Sequence, residues 1–241
     1  VRCPSCGAAV SAGLRFCGEC GTRVVPARAP DEAGSHAERR PRFKVSSSTS
    51  GLGALPMVGR QAPLRRIVEL WQEATTGALT VVSLTGEEGV GRHRLLQAVA
   101  EEVARAGGAS VSVQPDPTCA GVAYAAVARC VRSLLGVQAG DDPVAWFDAR
   151  FPPEEGEHDV VARAGMVELF VRGGSAELDA RSRTAAAVRA LELALAECRR
   201  VCGQSPFIAW EQLQRIDDAS VRVLAAFLAR PRAAAACMVF S

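Results

Sequence analysis

The sequence predicts an α/β protein whose main domain is a mainly parallel sheet flanked by helices. Three observations carry that reading. Between residues 56 and 241, short apolar runs alternate with stretches of helical apolar spacing, the pattern of strands joined by crossover helices. One of these run-to-helix junctions, Gly86-Glu87-Glu88-Gly89-Val90-Gly91-Arg92-His93, has the glycine spacing of a phosphate-cradling loop, G-x-x-x-x-G-K-[ST]. Ahead of that domain, two C-x-x-C pairs and a proline- and serine-rich stretch mark a small separate unit and its tether.

Residues 1–24 contain Cys3-Pro-Ser-Cys6 and Cys17-Gly-Glu-Cys20, two pairs separated by ten residues. Four thiolates at this spacing close a tetrahedral site, which suits Zn²⁺ and leaves no open position for chemistry. Gly7 and Gly21 follow the second cysteine of each pair, where a permissive backbone lets amides turn toward sulfur. So short a segment cannot bury a sufficient core, so metal binding, on the order of 10–16 kcal/mol, would supply its folding energy. Structural zinc on Cys3, Cys6, Cys17 and Cys20 is preferred here over redox pairs or an iron site. Residues 25–55 read as a disordered linker, with Pro26, Pro30, Pro41 and the run Ser46-Ser47-Ser48-Thr49-Ser50-Gly51 offering little apolar surface to bury. About 30 such residues span roughly 30 Å root-mean-square, enough to leave the ribbon free to search.

The larger domain opens with helical spacing over 62–75, carried by Leu64, Ile67, Val68, Leu70 and Trp71. A buried-type strand over 79–84 leads into the glycine loop, and a helix over 92–105 is stopped by Gly107-Gly108. A second strand covers 109–113, closed by Pro115 and Pro117. Helices follow over 122–135 and 184–200, with a helical insertion between 140 and 179. The third strand is 207–210, the next helix 218–230, and the fourth strand 235–240.

Composition narrows the function classes. A net charge of +2 argues against a strongly electrostatic partner, and no apolar run approaches the roughly 20 residues that span a bilayer, so a membrane is not among the expected partners. The nine cysteines divide into four in the metal pattern and five scattered in apolar surroundings, which fits a reducing cytoplasm better than a disulfide scaffold. Cys119, Cys130, Cys198, Cys202 and Cys237 read as small buried residues, and Trp71, Trp146 and Trp210 as core. Alanine and arginine abound while Lys44 is the single lysine, a bias that suggests a GC-rich bacterial gene.

Taken together, the ordered motifs resemble the AAA-type P-loop ATPase module of bacterial multidomain signalling proteins, the STAND-like regulators found beside cyclase or kinase domains or ahead of helical repeats. Met57-Val58-Gly59-Arg60 with Leu64 resembles the opening "VGR" box. The stretch 86–95 follows G-E-x-G-x-G-K-[ST]-R-L except at Arg92 and His93, and 207–217 resembles the Walker B stretch that ends in W-A-D. The amino-terminal zinc ribbon is also common in such proteins. The resemblance implies a P-loop NTPase-like sheet in the order 5-1-4-3-2 followed by a helical lid. Since the sequence stops after its fourth strand, the last strand and lid are expected to be lacking. It also implies a nucleotide site at Gly86, Gly89, Gly91, Arg92, His93 and Glu211, with ATP or ADP as ligand.

Four reactive positions depart from that pattern. Arg92 replaces the phosphate lysine, His93 the magnesium-binding hydroxyl, Glu211 the Walker B aspartate, and Gln212 the carboxylate that polarises water. Phosphoryl transfer depends on positioning and on charge neutralisation by lysine and metal, so the sequence predicts no catalytic residues and poor provision for Mg²⁺. Backbone amides of the loop would still face a phosphate, Arg92 can pair with one, and neutral His93 has one N–H to donate. Weak nucleotide binding and a purely structural loop both stay open. The preferred function is a non-catalytic or weakly nucleotide-binding regulatory and interaction module, its partner another protein or further domains of a longer chain. One alternative is an active ATPase that recruits Mg²⁺ through Glu211 or Asp217. A second is a nucleic-acid-binding zinc ribbon, which the low net charge and the absence of interleaved aromatics disfavour.

Overall fold

A computed structural model of the chain describes residues 58–119, 121–138, 140–152, 159–171, 173–174, 178–230 and 234–241. The four candidate zinc ligands, the linker and Met57 of the opening box lie outside the described residues. The described elements run α1 (Gln61–Ala74), β1 (Leu79–Ser83), α2 (Arg92–Arg105), β2 (Ser110–Val113), α3 (Ala125–Leu135), α4 (Pro143–Arg150), α5 (Val160–Phe170), α6 (Ala180–Cys202), β3 (Phe207–Trp210), α7 (Asp218–Leu228) and β4 (Ala236–Phe240). The four strands form one parallel sheet in the order β1-β4-β3-β2.

The alternation of side chains along the two central strands divides the core. Phe207 and Ala209 of β3, with Cys237 and Val239 of β4, face α1 and α2, where Ile67, Trp71, Leu96, Val99 and Val103 complete a buried layer. Ile208 and Trp210, with Ala236 and Met238, face the other way into the larger layer built from α3 to α7. Both central strands are therefore buried along almost their whole length.

β1 lies at the edge of the sheet, as the expected order 5-1-4-3-2 without its last strand implies. It pairs with β4 alone among the described residues, and Val81 is 50% exposed. An apolar run signals a strand without saying how many neighbours cover it, and at the sheet edge one flank stays open.

Helix starts follow local chemistry. Asp142, Asp159, Asp179 and Asp217 cap α4, α5, α6 and α7, each accepting from a backbone N–H two or three residues on. The insertion expected between 140 and 179 is helical, as α4 and α5. Trp71 anchors α1 by donating its indole N–H to the Ser205 carbonyl at 2.8 Å, while the Ser205 hydroxyl donates to the Ala74 carbonyl at 2.9 Å. Among the cysteines, Cys130, Cys198 and Cys237 are buried, but Cys119 and Cys202 are only half-buried. Cys202 lies in the last turn of α6 and Cys119 on the loop after β2, where neither is enclosed. Burial pushes the Cys237 thiol up to about 12.

α5 and α6 cross most closely at Gly165, where a side-chain carbon would run into the Ala186 carbonyl and the Ala190 methyl. Glycine is required there by contact and not by an unusual backbone angle. Replacing it should force the helices apart or strain both, an overpacking cost of about 1–3 kcal/mol. Gly165→Ala is expected to lower the urea midpoint of unfolding with little change in slope, and an unchanged midpoint would refute the close crossing.

Candidate functional site

The glycine loop connects the carboxyl end of β1 to the first turn of α2, as the sequence predicts. Gly89 and Gly91 take left-handed backbone angles, φ 80° and 90°, and Gly91 serves as the N-cap of α2 without a side-chain cap. A side-chain carbon at either glycine would meet nothing within 4 Å, so conformation and not crowding requires them. Within the loop, the Val90 amide reaches the Glu87 carbonyl at 3.4 Å; among the described residues the amides of Gly89, Gly91, Arg92 and His93 meet no acceptor. Arg60, from the opening box, holds the loop by donating to the Val90 carbonyl at 3.0 Å. Arg92 is half-buried, and no side-chain hydrogen bond or ion pair to it is seen among the described residues. A row of unpaired amides at a helix start has the form that can receive an anion. Glu87 and Glu88 are exposed on the same loop.

The feature that defines the site comes from strand alternation. Glu211 continues the parity of Phe207 and Ala209 and so emerges on the face covered by α2. β2 pairs in register with β3, Ser112 opposite Ala209 and Val113 opposite Trp210, which brings Ser112 and Gln114 beside Glu211. Glu211 is 6% exposed. Its Oε2 lies 2.6 Å from Nδ1 of His93, and its Oε1 accepts from Ser112 Oγ at 2.8 Å and Gln114 Nε2 at 3.1 Å. Gln114 Nε2 also sits 3.3 Å from His93 Nδ1. A carboxylate only accepts, so the proton of that short contact belongs to Nδ1. The neutral ring then has no N–H left for a phosphate, contrary to the expectation from sequence. Its Nε2 edge, on a side chain 52% exposed, meets no partner among the described residues.

Mg²⁺, which this fold implies, does not fit these residues. It asks for hard oxygen ligands in near-octahedral array. The hydroxyl position holds an imidazole, and both Glu211 oxygens are occupied by protein donors.

Asp217 accepts from the Tyr124 amide at 2.8 Å, the Ala126 amide at 3.2 Å, and both the amide and hydroxyl of Ser220 at 2.8 Å. It ties the starts of α3 and α7 together. Gln212 is exposed in a left-handed conformation, φ 50°. It lines a neighbouring cleft of about 530 Å³ with Asp116, Arg129, Arg215 and Asp217. There the Thr118 hydroxyl and amide, with Arg129 at 2.7 Å, hold the Asp116 carboxyl below the usual range. The structure thus brings Gly86, Gly89, Gly91, Arg92, His93 and Glu211 into one site and adds Ser112 and Gln114, which the sequence reading did not include. Among the described residues no group of three or more histidine, cysteine or acidic side chains could hold a metal ion.

A family model described as "AAA ATPase domain" matches residues 56–240. No curated protein and no solved structure matches the chain.

The Glu211 network should be measurable as coupling. Ser112→Ala removes a donor from a buried carboxylate and is expected to cost about 1–3 kcal/mol. The same change made on Glu211→Gln should cost clearly less. A double-mutant cycle in urea reads the difference, and strict additivity would show that the contact carries no energy.

Proposed function

We propose that this chain, which belongs to the AAA ATPase domain family through residues 56–240, is a regulatory or interaction module that does not hydrolyse ATP. The observation that carries the reading is the 2.6 Å contact between His93 and Glu211. It commits to each other the two side chains, at 93 and 211, that would otherwise hold a metal. Three departures support it: Arg92 for the lysine, no carboxylate at Gln212, and Asp217 committed to helix capping. Losing both metal and base removes the contributions on which phosphoryl transfer rests. What the loop keeps, among the described residues, is a set of amides and an Arg92 side chain without partners, which support weak nucleotide binding. The four amino-terminal cysteines complete the proposal as a structural zinc ribbon, and the partner would be a protein or a further domain of a longer polypeptide. A cytoplasmic, signalling setting is the context that the motif order suggests. No described helix is long and apolar enough to cross a membrane.

Two measurements test this. Phosphate release from ATP with Mg²⁺ should not exceed that of the Arg92→Ala variant, and turnover abolished by that substitution would overturn the reading. Elemental analysis of the purified chain should find about one zinc per molecule, lowered by Cys17→Ser without loss of the α/β domain's unfolding transition. Full zinc content in that variant would exclude the four-cysteine site.

A further inference from the structure

We infer that Cys198 and Cys202 form an oxidisable thiol pair, in which Cys202 reacts with a hydroperoxide and Cys198 then closes a reversible disulfide to it. The pair lies near the end of α6, ahead of the amino end of β3, whereas the glycine loop stands at the carboxyl end of β1. Residues four apart on a helix are neighbours on one face, with Cβ atoms about 5–6 Å apart. The two sulfurs are unequally placed. Cys198 is buried in the layer that also holds Cys130, and Cys202 packs half-buried at its margin. The Cys198 thiol donates a hydrogen bond to the Cys202 sulfur, which holds Cys202 below the ordinary thiol range and pushes Cys198 above it. The thiolate is the reactive form of cysteine. The more accessible sulfur is therefore also the one its neighbour favours as a thiolate. The other described thiols lack this arrangement. Cys130 and Cys237 are enclosed, and burial pushes both of them up. Cys119 is half-buried on the loop after β2, with the Thr118 hydroxyl 3.9 Å from its sulfur, and no cysteine stands within a turn of it in sequence.

The reaction balances with the hydroperoxide as oxidant. The Cys202 thiolate attacks the terminal oxygen, an S–O bond forms as the O–O bond breaks, and the alcohol or water leaves with the proton that Cys202 gave up. Cys198 then attacks the oxidised sulfur. The S–S bond forms, the S–O bond breaks, and hydroxide departs as water with the Cys198 proton. Two thiols are oxidised and one peroxide bond is reduced. A disulfide needs Cβ atoms about 3.5–4.5 Å apart, closer than one helical turn provides, so closure draws in the last turn of α6. That turn ends at Cys202, and Gly203 caps it in the left-handed region at φ 73°. A helix end yields to such a change more readily than a helix interior. A disulfide closed against that geometry is strained, and strained disulfides are readily reduced, which makes the step reversible.

Peptide mapping of the full chain tests the pair. The protein is treated with equimolar hydrogen peroxide, alkylated with iodoacetamide and digested with trypsin. Cleavage after Arg199 and Arg200 puts the two cysteines on separate peptides. The expected result is a crosslink between those peptides within one chain, removed by dithiothreitol. The crosslink should be lost in Cys202→Ser and in Cys198→Ala, and with dimedone present Cys198→Ala should carry a sulfenic-acid adduct at Cys202. Cys202→Ser changes the half-buried position and so keeps the test independent of any packing loss in Cys198→Ala; in it Cys198 should stay reduced. Oxidation of Cys198 in that variant overturns the inference. So does a wild-type chain whose Cys202 stays reduced while Cys119 is oxidised, a crosslink of Cys198 to Cys130, or a crosslink that a non-reducing gel shows to join two chains.

Discussion

The two central strands are covered on both faces, and the alternation along them decides which helix each residue meets. Phe207 and Ala209 go to α1 and α2, while Ile208 and Trp210 go to the five-helix side. Shifting β3 by one position would exchange these sets and bury its residues against the wrong layer, so the register is held by the whole core. Glu211 inherits its direction from that register. Its meeting with the first turn of α2 is a consequence of how the sheet packs, and the loop's own sequence has little part in it.

A buried carboxylate must be answered. Left unpaired, an ionised group in such a position costs several kcal/mol. In a metal-using site the cation supplies the answer only when bound. Here three protein donors supply it permanently, and they come from α2, from β2 and from the segment just after β2. The substitutions at 93 and 211 are therefore coupled: histidine reaches across the gap that a serine hydroxyl would leave, and the longer glutamate meets it. Seen separately they are two losses. Together they form one internally satisfied contact.

Much of this was legible in the sequence where local chemistry governs. The bounds of α2 and β3 follow from glycine and apolar spacing, and the sheet order agrees with what the family resemblance implied. The reading failed where distant partners decide. Ser112 and Gln114 join Glu211 across nearly a hundred residues, by a register between β2 and β3 that alternation alone does not provide. Asp217 was open to reading as a metal ligand because sequence cannot show that four donors from two helices already surround it.

The segment from Glu211 to Asp217 is held by a carboxylate at each end. Glu211 binds the first turn of α2, Asp217 binds the first turn of α3, and between them Leu213 reaches the Ser241 carbonyl at 3.5 Å. The two anchors are separate in their partners: Asp217 keeps donors from Tyr124, Ala126 and Ser220 that do not involve Glu211, and β4 is held by its pairing with β1 and β3. What joins the site to the fold is therefore the register of β3, which sets where Glu211 meets the first turn of α2.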